Sequence, residues 1–110
     1  MRPVLHGDVA IVARVLYALP DREHPYRLAR LLAAAEIADS FLRTSGCAHP
    51  RYGTGSLMAA AARMPRAPEP DFDDDRYCAC WIKVLSALIG HRAQRADGRG
   101  VHGGAKPQRP

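Results

Sequence analysis

Aromatic side chains make up only 6% of this 110-residue sequence, and there is a single tryptophan. A core poor in rings has to be built from aliphatic residues and alanine, which lets helices approach one another closely. Cysteine is scarce as well. Cys47, Cys78 and Cys80 are an odd number with no disulfide framework, which points to a reducing compartment. Cys78 and Cys80 stand as C-x-C, not the C-x-x-C of redox and zinc sites. Two residues along a helix turn through about 200°, so their sulfurs should diverge and act as small apolar side chains. Long apolar runs are also missing. The stretch from Val9 to Leu19 is too short to span a bilayer, is interrupted by Arg14, and lacks the charged start and cleavage site of a signal peptide. The expectation is a cytoplasmic protein with no membrane association.

Lysine is nearly absent, at Lys83 and Lys106 alone, so the net charge of +5 comes from arginine. Its distribution matters more than its sum. Residues 1–90 hold eleven of the sixteen basic residues and ten of the eleven acidic ones, a net of +1. Residues 91–110 hold Arg92, Arg95, Arg99, Lys106 and Arg109 against Asp97, a net of +4. A nearly neutral body argues against a basic nucleic-acid groove, and an arginine bias amid abundant alanine, glycine and proline fits a GC-rich coding sequence equally well. Hydrophobic content of 47% and charged content of 25% are ordinary for a folded domain. At this length the chain makes one domain at most.

What is present is helical periodicity. Val9, Val12, Ala13, Leu16 and Leu19 recur on one face, with Asp8 as N-cap and Pro20 as the stop. A second helix should start within Asp21 to Pro25, carry Leu28, Leu31, Leu32, Ala35, Ala38, Phe41 and Leu42 inward, and close at Gly46. Residues 47–56 read as a loop. Ser56 caps a short helix from Leu57 to about Met64, and residues 66–70 form a stiff connector. Asp73 to Asp75 favour the start of a last helix, near Asp74 to His91, with a stripe of Tyr77, Trp81, Val84, Leu85, Leu88 and Ile89. No β-branched alternation supports a sheet. The expected fold is all-α: a small irregular bundle of three long helices and one short one over residues 1–92, with a disordered basic tail at 93–110.

Chemistry-bearing patterns are sparse. Five histidines, His6, His24, His49, His91 and His102, are scattered without a triad signature, so no enzyme activity is expected. No cofactor or metal site is expected either. The strongest candidate binding loop gathers His49, Arg51, Tyr52, Thr54 and Ser56 beside Gly53 and Gly55. Free N–H groups at the start of the following helix, with Arg51 close by, would suit a phosphate or carboxylate. The run Gly53-Thr54-Gly55-Ser56 lacks the lysine and spacing of a P-loop. Asp71, Asp73, Asp74 and Asp75 form a candidate acidic docking patch, although helix capping accounts for them too, and the calcium-loop pattern is incomplete.

The segments "MRPVLHGDV", "AHPRYGTGSLMAAA" and "DDDRYCACWIKVLSAL" together resemble a family of short uncharacterised proteins from photosynthetic and marine alphaproteobacteria related to Rhodobacter. The resemblance spans most of residues 1–90. It implies a cytoplasmic bacterial accessory protein, associated with gene transfer agents, the phage-like particles of these bacteria, and it carries no activity to transfer. The functional expectation is a non-enzymatic helical adaptor or regulator that binds another protein. Its rival is sequence-tolerant nucleic-acid binding, chiefly through Arg92, Arg95, Arg99, Lys106 and Arg109 of the tail with help from Arg51, Arg63 and Arg66. Homo-oligomerisation is a further expectation, since so small an amphipathic set risks exposing Ile11, Val15 or Trp81.

Overall fold

The repeat of Val9, Val12, Ala13 and Leu16 closes into a first helix, α1, over His6–Tyr17, with all four side chains buried. In this computed structural model the backbone is described for residues 1–103 and the side chains for residues 1–96. Leu5, not Asp8, is the N-cap of α1. Asp8 lies three residues into the sequence after it, and its buried carboxylate accepts the Leu5 N–H at 2.8 Å. The short acidic side chain therefore still closes the helix start, but from inside the first turn.

A 3₁₀ turn at Asp21–Glu23 leads into α2, His24–Ser45, which carries proline in its first turn and ends on Gly46 in the left-handed region. Leu28, Leu31, Leu32, Ala35 and Ala38 are buried as their spacing requires, whereas Phe41 near the end of the helix is exposed. The short helix α3 is one turn, Leu57–Ala60, capped by the Ser56 hydroxyl, which accepts the Ala59 N–H at 3.0 Å. The expected helix to Met64 gives way to tighter turns, with Ala62 N–H bonded to the Ala59 carbonyl and Met64 N–H to that of Ala61. The connector that follows is tied to α1. Arg14 donates Nε–H to the Ala67 carbonyl at 2.8 Å, and Ala67 N–H returns to the Arg14 carbonyl. This explains a charged residue in the middle of an apolar helix.

The last helix, α4, spans Asp75–Gly103. The expected end near His91 and the domain boundary at residue 92 both fall inside it. Ala93, Gln94, Arg95 and Ala96 favour helix, and Arg95 is anchored to Glu36 of α2 at 2.9 Å, so nothing stops the chain at His91. The part of the expected tail at 104–110 lies outside the described residues. Tyr77, Val84 and Leu88 are buried, but Leu85 and Ile89, expected in the same stripe, are exposed, and Cys80 takes a core place instead. Among the described residues the fold is all-α, three long helices and one short, with a lone bridge between His49 and Gly53. α1 is the central element, packed most extensively on α4 and also on α3.

Candidate functional site

The loop after α2 is built around His49. Its Nδ1 accepts the N–H groups of Arg51 and Tyr52, both at 3.1 Å, which leaves Nε2 as the ring's donor. The imidazole stacks on Tyr52 at 4.8 Å and meets the edge of Phe41 at 5.0 Å. Backbone bonds in both directions between His49 and Gly53 complete a tight turn. Ser56 is engaged as the α3 cap and Thr54 is half-buried. Of the loop residues, Arg51 and one face of Tyr52 reach outward.

No anion site remains at the start of α3. The Met58 N–H donates to Asp8 Oδ1 at 2.8 Å, and the Ala59 N–H to Ser56. The chain's own Asp8 carboxylate stands where a phosphate was expected.

The outward side of the loop opens instead onto a groove of about 580 Å³ between α2, the loop and the turns after α3. Arg27, Arg30, Arg51 and Arg63 line it, with no carboxylate among the lining residues. Leu31, Ala34, Ile37 and Met64 supply an apolar floor, and Ile37 is 52% exposed. None of the four arginines is in an ion pair among the described residues. Arg63 makes a long bond of 3.4 Å to the Pro50 carbonyl, and Arg27 touches the Met64 sulfur at 3.8 Å. The Nε of Arg27 is out of contact with solvent and has no hydrogen-bond partner. Arg51 belongs to the loop that its sequence marks as a candidate site, whereas Arg27 and Arg30 sit within a helix and carry no motif of their own. The two are three residues apart, one helical face, and that spacing was the available signal.

The acidic patch is largely structural. Asp74 Oδ1 caps α4 through the Tyr77 N–H at 3.1 Å, while Oδ2 accepts the Tyr17 hydroxyl. These bonds hold the Asp74 carboxyl below its usual value, the Tyr17 hydroxyl contributing most, and they raise that of Tyr17. Asp71 accepts the Asp73 N–H at 3.0 Å in a side-chain turn. Asp73 and Asp75 are exposed, with no side-chain bond among the described residues.

On the other side of α2, a groove of about 540 Å³ separates it from α4. At one end lies His24, fully buried, its Nε2 at 2.6 Å from the Leu16 carbonyl and its Nδ1 at 2.9 Å from Lys83 Nζ. The carbonyl selects the tautomer with hydrogen on Nε2, so Lys83 donates to Nδ1. Asp21 sits beside them, paired with Arg76 at 3.2 Å; that hydrogen bond, then the charge of Lys83, lowers its pKa. Every member has a protein partner, a local network that joins α1, α2 and α4. The Cys80 thiol nearby is pushed up by burial, and Cys47, Cys78 and Cys80 are all free thiols. Among the described residues no three His, Cys, Asp or Glu side chains gather as a metal site.

Of the basic residues expected to contact nucleic acid, Arg92 is exposed and Arg95 is paired with Glu36. The side chain of Arg99, and Lys106 and Arg109 altogether, lie outside the described residues. No helix among the described residues is long and apolar enough to cross a membrane.

No curated protein and no solved structure matches the chain. A family described as a domain of unknown function, DUF7742, matches residues 2–88, from the N-terminal segment through the core half of α4, and the chain belongs to that family.

Proposed function

We propose that the protein is a non-enzymatic helical adaptor that binds an acidic, partly apolar segment of another protein in the groove lined by Arg27, Arg30, Arg51 and Arg63. The single observation behind this reading is four arginines without an acidic neighbour around an apolar floor. Guanidinium groups offer paired donors that match carboxylates in a fixed fork, and the floor takes the segment's aliphatic side chains.

Nucleic acid is the rival occupant, through this groove or through the basic C-terminal segment. The floor argues for protein, because phosphate contacts need no apolar surface, and the one ring in the groove, Tyr52, is already stacked on His49. A cytoplasmic location belongs to the same proposal and is supported by the three free thiols. Its place in a bacterial cell, in the control or assembly of gene transfer agents, rests on the family resemblance alone.

Affinity capture from native cells tests the reading when wild type is compared with the double charge reversal Arg30→Glu/Arg51→Glu, both sites being exposed. The expected result is one protein retained by wild type, lost with the variant, and released by raised salt. Retention that nuclease abolishes, or that the reversal leaves unchanged, contradicts it.

A further inference from the structure

Beyond the arginine groove, α4 carries a second surface that its own fold leaves bare. Tyr77, Val84 and Leu88 face the core, while Ile82, Leu85 and Ile89 lie on the adjacent face, turned about 100° from it, 63%, 46% and 62% exposed. With Cys78, which is half-buried and donates its thiol to the Phe72 carbonyl at 3.1 Å, they follow one another at intervals of four, three and four residues, the alternation of a coiled-coil seam. The same alternation continues by three residues at each end, to Asp75 and to Arg92. Both are exposed and without an ion-pair partner among the described residues.

From these spacings we infer that the outer face of α4 is a homodimer interface, in which a second copy of this chain lies antiparallel along the seam. The occupant is identified by self-complementarity. Reversing the helix on itself places Asp75 opposite Arg92, Cys78 opposite Ile89, and Ile82 opposite Leu85, and then the same pairs again in mirror order. A parallel copy would set Asp75 against Asp75 and Arg92 against Arg92, so the charges select the antiparallel arrangement. Within one chain these two residues are about 25 Å apart along the helix and cannot meet. A two-fold axis near the middle of the seam satisfies both at once, and four apolar layers lie between the charged ends. The face is separate from the arginine groove, which stays open in such a dimer.

Sedimentation equilibrium of the full chain tests the inference. Wild type is expected to show a reversible monomer–dimer equilibrium, and Ile82→Asp, at a solvent-facing position, to weaken it at least about tenfold without altering the helical circular dichroism. Asp75→Arg and Arg92→Asp should each weaken association about three- to fivefold, and their combination should restore it. Orientation is read by Ile89→Cys in a Cys47→Ser background, which sets a thiol opposite Cys78 of the second copy. With oxidised glutathione added to accept the two electrons, a disulfide-linked dimer that disappears with Cys78→Ser is the expected outcome. A chain that stays monomeric up to about 1 mM, or a dimer that survives Ile82→Asp, or a combined charge reversal that fails to restore association in a folded protein, overturns it.

Discussion

Gly55 shows how tightly single residues are fixed in this small protein. It has φ +100°, and a Cβ there would lie 2.8 Å from the Cα of Asp39 on α2. Both the backbone conformation and the close approach require glycine, so Gly55→Ala should cost about 2–4 kcal/mol in thermal or urea unfolding. Asp8 is as constrained in another way. Its carboxylate accepts the Leu5 and Met58 N–H groups at 2.8 Å each, so it closes α1 and α3 together. Asp8→Ala should cost about 2–4 kcal/mol, seen in the same unfolding measurements, because two donors lose their acceptor. Glu36 sets an acid limit. Burial opposes its ionisation, but hydrogen bonds from the Met1 amino group and His91, with the charge of Arg95, outweigh it and lower its pKa below the ordinary 4.5. A carboxyl with a lowered folded-state pKa contributes stability that is present above its unfolded value and lost as pH falls through the folded one. Unfolding at a series of pH values should show a decline below about 5 that is shallower in Glu36→Gln, which is also the less stable protein at neutral pH. At this scale the sequence was only partly readable. Ser56 follows from its position before an apolar run, whereas the reach of Asp8 to Met58 depends on how two distant segments meet.

Elements are more legible than their junctions. α1 and α2 follow from apolar residues at three- and four-residue spacing with proline and glycine at the ends, because local periodicity is what closes a helix. Which face of α4 is core was only half visible. Its apolar residues surround much of the helix, so Leu85 and Ile89 read as core beside Val84 and Leu88, and only packing against α1 separates the two faces. Arg76 ties the end of α1 to the start of α4. It donates to the Tyr17 and Leu19 carbonyls at 2.6 and 2.7 Å and lies 4.9 Å from the Tyr17 ring. Positive charge at a helix C-terminus, where carbonyls lack partners, is stabilising. Arg76→Ala should therefore cost about 1–2 kcal/mol, and amide hydrogen exchange should quicken in the last turn of α1 before it does in α2. Gly90 works in the opposite direction. It lies in the interior of α4 with nothing within 4 Å of a Cβ, so Gly90→Ala should stabilise the protein by about 0.5–1 kcal/mol in thermal unfolding.

At the scale of the whole molecule, charge is organised by surface and not by sequence segment. Asp74 and Glu36 serve the fold, as does Arg95, which was expected in a free tail. Arg27, Arg30, Arg51 and Arg63 come from three separate parts of the chain and share one groove. Summed along the chain, the charge of the body is nearly neutral, and that sum conceals this separation. The groove depends on long-range packing of the His49 loop against α2, which no local pattern announces.

The adaptor reading is tested most directly at Ile37, half-exposed on the floor of that groove. A photo-crosslinking amino acid placed there in native cells, followed by mass spectrometry of the conjugate, reports what occupies the groove. The predicted product is a single protein joined through a carboxylate-rich segment, and Arg30→Glu/Arg51→Glu abolishes it. A conjugate with nucleic acid, or no conjugate above that given by the charge-reversed protein, contradicts the assignment.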